Sequence, residues 1–205
     1  MSAVSETIVR EYLELHGFFV RQQRKYVAPS RREDDEIDFL AINPRPEGTP
    51  AGLPFILESS DLARIARAII VVKGWHTETF SPGLLANAPE IFRFLEPSIF
   101  QSVARSFGGD GPPTKILVVP GLPHGAEARQ QSIELLRAKG LDAIIPFRTM
   151  LADLIRQIEV NRNYQKSDLL QVIRILKNYD FFPEPQMELF KAGPRRAARR
   201  SAGEP

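Results

Sequence analysis

Apolar residues recur every three or four positions over residues 4–16. Val4, Ile8, Tyr12 and Leu15 fall on one stripe, with Val9 and Leu13 widening it, and this spacing predicts an amphipathic helix. Ser2 or Ser5 can cap its start, and Gly17 suits a left-handed stop. FFVRQQRKYV then alternates, imperfectly, as a strand does. EIDFLAIN predicts a second strand, ended by Asn43-Pro44. Residues 44–61 are rich in proline and glycine and predict a loop. ARAIIVVKGW predicts a third strand. It is apolar on both faces, so it belongs in the middle of a sheet with a layer on each side.

Beyond Pro82 the period lengthens again. Residues 84–106 predict helices interrupted near Pro97, and FGGDGPP predicts a loop. KILVVP reads as a short buried strand, residues 126–139 as a helix closed by Gly140, and LDAIIPF as another buried strand. Two helices follow, over residues 149–160 and 167–178. The order αβββ(αα)βαβαα indicates an α/β or α+β fold, a central mixed sheet flanked by helices with extra helices at its C-terminal end. Residues 1–182 form one domain. From Pro183 to residue 205 the chain is a basic Pro/Arg/Ala-rich tail, a composition that buries no core and predicts disorder.

Composition narrows the function classes. The chain has 205 residues, of which 43% are hydrophobic and 25% charged, enough for one sizeable soluble core. No apolar run approaches the roughly 20 residues that span a bilayer, so no membrane partner is expected. The first residues lack the basic-then-apolar pattern of a secretory leader. Cysteine is absent, which removes disulfides and thiolate chemistry and fits a reducing, cytoplasmic setting. The formal net charge of +2 does not by itself demand a nucleic-acid partner. No phosphate-loop, GxSxG or GxGxxG motif is present, and no His/Asp/Glu spacing indicates zinc.

The informative charges are those set among apolar residues. Asp38 lies inside IDFLAI, Lys73 ends the most apolar strand, and Glu6 borders the apolar arc of the first helix. A lone buried charge is strongly unfavourable. A lysine between two carboxylates is satisfied, and it also makes a place for a divalent cation and a phosphate. Trp75 and His76 follow the lysine directly; they suit stacking on a base or contact with a phosphate, and equally packing at a strand end. Arg21, Arg24, Lys25, Arg31 and Arg32 are candidate phosphate contacts, or charges that guard an edge strand. RRAARR in the tail adds a further basic cluster.

SETIVREYLELHGFFVRQ, EIDFLAI and IIVVKGW together make a pattern. It resembles the restriction-endonuclease-like PD-(D/E)xK nuclease superfamily, in layout its archaeal Holliday-junction resolvase branch. The motifs fall in about the first 75 residues, and the later β-α-β order agrees more loosely. The resemblance implies an αβββαβ core and metal-dependent DNA endonuclease activity with Mg²⁺ or Mn²⁺. It implies Asp38 as a metal ligand, the main-chain carbonyl of Val72 as another, Glu6 as a ligand through water, and Lys73 positioning the nucleophile. It also implies DNA as partner and a homodimer.

The departure is at position 71. The motif calls for an acid two residues before the lysine, because side chains two apart share a strand face, and this chain has Val71. Either another acid replaces it or the site has lost its chemistry. Glu36 shares a strand face with Asp38 in sequence register and is the first candidate; Glu58 and Glu78 are the others. Three readings follow: an active endonuclease, an inactive nuclease-fold module that binds nucleic acid, or a protein-interaction domain that uses the helices over residues 84–106 and 149–178.

Overall fold

The structure, a computed structural model, describes residues 3–22, 37–48, 51–107 and 111–182. The tail, and with it Arg24, Lys25, Arg31, Arg32 and Glu36, lies outside the described residues.

Five strands form one mixed sheet in chain order: β1 (Phe19–Gln22), β2 (Phe39–Ile42), β3 (Arg67–Val72), β4 (Thr114–Val119) and β5 (Ala143–Pro146). The first three pair antiparallel, with Gln22 opposite Phe39 and Phe39 opposite Ile70. β4 and β5 continue parallel to β3, with Val72 opposite Val118. Short loops suffice for antiparallel neighbours, whereas parallel neighbours need a helical crossover. β3 therefore reaches β4 through α2 (Pro82–Asn87), a 3₁₀ turn at Pro89–Leu95 and α3 (Pro97–Ala104), and β4 reaches β5 through α4 (Ala126–Ala138).

β3 has no hydrophobic alternation because both its faces are covered. Ala68, Ile70 and Val72 face α1 (Ala3–Leu15), α5 (Phe147–Gln157) and α6 (Asp168–Asn178) through Ile8, Tyr12, Phe147, Met150, Leu154 and Ile173. Ile69 and Val71 face the other layer, with Phe80, Leu85, Ile91, Phe94 and Leu136. Both layers exclude water from the central strand, as in doubly covered parallel sheets.

The elements differ from the expected ones in instructive places. On α1 the buried stripe is Ile8, Val9, Tyr12 and Leu13, and Val4 is 62% exposed. The helix turns its Ser5 face inward instead, where a small residue lets a neighbouring backbone approach. The segment 84–106 holds α2 and α3 with the expected break at Pro97, and a 3₁₀ turn at Pro89–Leu95 divides them further. Pro89 and Pro97 each sit at the start of a new element, where their fixed φ and missing N–H are tolerated, and Ser81 caps α2 by accepting from the Leu84 N–H. The loop over residues 44–61 is partly ordered. Ile56 bridges Ile144 in parallel register along the outer edge of β5, and a 3₁₀ turn begins at Ser59. That bridge shields one edge of the sheet from foreign pairing.

Candidate functional site

Asp38 occupies the approach to β2 and is 4% exposed. Ile37 and Phe39 on either side of it belong to opposite layers of the core, so Asp38 is turned out of the strand alternation. Its N–H donates to the Ile70 carbonyl at 3.1 Å. Its carboxylate Oδ2 accepts the Val72 N–H at 2.7 Å. The side chain thus takes the place of a ladder carbonyl at the end of β3, and a buried main-chain donor is satisfied by an anion.

Lys73 follows at once. Its N–H donates to the Val118 carbonyl at 3.0 Å, carrying the parallel ladder one residue past β3. Val72 packs in the α1 layer, and a Cβ built on Gly74 points at Ser5 of α1. Val71 and Trp75 belong to the opposite layer, Trp75 tilted against Phe80 at 5.9 Å between ring centroids. Val71 is 1% exposed among apolar side chains that include Ile37, Phe80 and Leu117. The position where the motif carries its acid is a core position in this chain.

Glu6 reaches the same end of the sheet from the α1 layer. It is half-buried and accepts a hydrogen bond from Gln22 Nε2 at 2.6 Å, which ties the first turn of α1 to the end of β1. One residue earlier, Ser5 is fully buried, and its Oγ lies 3.0 Å from His76 Nε2. The His76 ring stands edge-on to Phe147 at 4.6 Å. The structure thus brings Asp38 to the Val72 N–H just before Lys73, and it sets Ser5, the neighbour of Glu6, against Gly74, the neighbour of Lys73.

These groups offer only oxygen donors beside the lysine: two carboxylates and the Val72 carbonyl. That chemistry suits Mg²⁺ or Mn²⁺, which keep several waters of their own. Among the described residues no three His, Asp or Glu side chains converge in metal-binding geometry. Of the replacement acids, Glu58 is exposed and lines a depression with Ser59, Thr149, Asp153 and Arg156. Glu78 is exposed on the turn after Trp75. Glu36 lies outside the described residues. Arg21 is exposed on the edge strand, opposite Leu40 in register.

A second polar cluster escaped sequence reasoning. Asp153 on α5, 2% exposed, accepts hydrogen bonds from His16 Nε2 and Gln157 Nε2, both at 2.7 Å, and pairs with Arg156. Burial is the largest single influence on this carboxyl and raises it. The bonds from Arg156, His16 and Gln157 together outweigh burial and hold it below its ordinary value of 3.8. Beside it, Tyr12 donates to Ser59 Oγ at 2.9 Å and meets His16 edge to face. Burial pushes the Tyr12 phenol up to about 12, against a smaller downward pull from the Ser59 bond. The cluster fastens α1 to α5 and to the 3₁₀ turn. Nothing in the sequence joins residues 16 and 153 beforehand.

Among the described residues no helix is long and apolar enough to cross a membrane. Comparison with family models, with curated proteins and with solved structures found no match to this chain.

Proposed function

We propose that this chain is a metal-dependent DNA endonuclease built on a restriction-endonuclease-like core. The single observation that carries the reading is the buried Asp38 carboxylate bonded to the Val72 N–H, one residue before Lys73. Helix, three antiparallel strands and a helical crossover to a parallel fourth strand support the αβββαβ layout.

In this reading Asp38 and Glu6 hold Mg²⁺ or Mn²⁺ together with the Val72 carbonyl, with Glu36 as a further acid. The ion when bound supplies a nucleophilic water near neutral pH and neutralises charge on the phosphate. The Val72 N–H fixes the Asp38 rotamer, so the carboxylate needs little reorganisation. Lys73, anchored through its own N–H to Val118, presents its ammonium to the attacked phosphate or the attacking water. Val71, a core residue two positions earlier, leaves the lysine without the neighbouring acid of the motif. Arg21, and Arg24, Lys25, Arg31 and Arg32 in the segment that follows, contact the DNA backbone.

A second reading is favoured by Val71. With a core valine in place of an acid, the chain keeps the scaffold as an inactive nucleic-acid-binding module. Nicking of supercoiled plasmid with Mg²⁺ or Mn²⁺ separates the two. The endonuclease reading requires nicking that Lys73→Ala abolishes. The second requires salt-sensitive retention of DNA without nicking, unchanged by Lys73→Ala and weakened by replacing Arg21, Arg24 and Lys25.

A further inference from the structure

Two sequence neighbours of the proposed catalytic residues touch each other. Ser5 precedes Glu6 and Gly74 follows Lys73. A Cβ added at Gly74 would lie 2.3 Å from Ser5 Oγ and 2.8 Å from Ser5 Cβ, so only glycine lets the strand end come this close to the helix. The approach is fixed further by the Ser5–His76 hydrogen bond of 3.0 Å and by the edge contact of His76 with Phe147. His76 is itself an exposed residue. An exposed imidazole held by a fully buried hydroxyl and an aromatic edge contributes little to the core. It does fix the path of residues 73–76.

We propose that Ser5 and His76 are positioning residues. They clamp the turn after β3 onto the first turn of α1 and so set the place of Lys73 relative to Glu6. The inference rests on the endonuclease reading and extends it to two residues that flank the proposed site in the chain. A clamp of this kind acts as outer partners do at metal sites, where loss of one usually lowers metal affinity or activity about 10- to 100-fold.

The test uses the full chain with Ser5→Ala, His76→Ala, the double variant and His76→Gln. Two quantities are read. One is amide hydrogen exchange of residues 73–78. The other is the single-turnover cleavage rate of duplex DNA across a Mn²⁺ titration, with circular dichroism confirming the fold. Each single alanine variant is expected to speed exchange and to lower cleavage and apparent Mn²⁺ affinity about 10- to 100-fold. The double variant should lose no more than either single, and His76→Gln, whose amide can bond Ser5, should recover much of the loss.

Unchanged exchange, or losses that multiply in the double variant, overturns the clamp. Faster exchange with undiminished cleavage overturns the positioning role. A wild type that cuts no DNA removes the positioning role along with the endonuclease reading. That outcome is told apart from failure of the clamp because exchange still reports the Ser5–His76 contact.

Discussion

Replacing Gly74 with alanine tests the packing at the heart of the site without touching any charged group. The new methyl would sit 2.3 Å from Ser5 Oγ and 2.8 Å from Ser5 Cβ, while His76 Nε2 at 3.6 Å is an ordinary neighbour. Neither side gives way easily. Ser5 is fully buried in α1, and Gly74 comes one residue after the Lys73–Val118 ladder bond. Forcing a methylene-sized group into packed surroundings typically destabilises by about 1–3 kcal/mol. Glycine-to-alanine replacement also restricts the unfolded chain, a stabilising effect of about 0.4–1 kcal/mol. The clash is the larger effect, so the net expectation is a loss of about 1–2 kcal/mol. At the usual 2–4 °C per kcal/mol for a chain of this size, the melting temperature falls by roughly 2–8 °C.

The chain carries its own reporter for this assay. Its single tryptophan, Trp75, is the next residue and packs on Phe80, so urea unfolding can be followed by fluorescence. Ser5→Gly in the Gly74→Ala background removes both clashing atoms and should restore most of the loss. Ser5→Ala leaves the Cβ in place and should restore only part. A Gly74→Ala protein as stable as wild type, or a double variant with coupling below about 0.5 kcal/mol, would refute the close approach of α1 to the strand end.

Val71→Glu puts a carboxylate into an apolar cluster. It should destabilise by several kcal/mol, seen as a shifted urea midpoint, and should not raise nicking; raised nicking with intact stability would mean that position 71 opens onto the proposed site. Asp38→Ala leaves the buried Val72 N–H without its acceptor, a loss of about 1–3 kcal/mol by the same measurement, whereas an unchanged midpoint would mean that this bond contributes nothing. The depressed carboxyl of Asp153 predicts an acid-labile tie. Its stabilisation is present above the unfolded value of 3.8 and is lost as pH falls through the lower folded value. The stability gap between wild type and Asp153→Asn should therefore narrow as the pH is lowered from about 5 to about 3, and a gap that widens would contradict the assigned sign.

Much of the fold was legible because its patterns are local. The double-sided apolar run of β3 announced a covered central strand, and Gly140 with φ of 91° ends the α4 segment where glycine was expected to. Asp38 and Lys73 stood out because each interrupts an apolar run. What stayed hidden depends on contacts between distant segments. Ser5 looked like a cap and is a buried neighbour of Gly74. His16 belongs to no motif and is bonded to Asp153 across the α1–α5 interface. Val4 matched the helical period and is exposed, because the face that α1 buries is set by what packs on it. Glu6 bordered the apolar arc of α1 in the sequence, but its bond to Gln22 depends on where β1 lies and could not be read from α1 alone.

The central claim is that the end of β3 cuts phosphodiester bonds with Lys73 beside the attacked phosphate. Its most direct test is the single-turnover cleavage rate of a labelled DNA duplex at saturating Mn²⁺, compared between wild type and Lys73→Ala. The account predicts cleavage by wild type and a loss of about 10²-fold or more in the variant, the usual scale for removing one preorganised electrostatic group. No cleavage by wild type, or a variant that cuts at the wild-type rate, would contradict it.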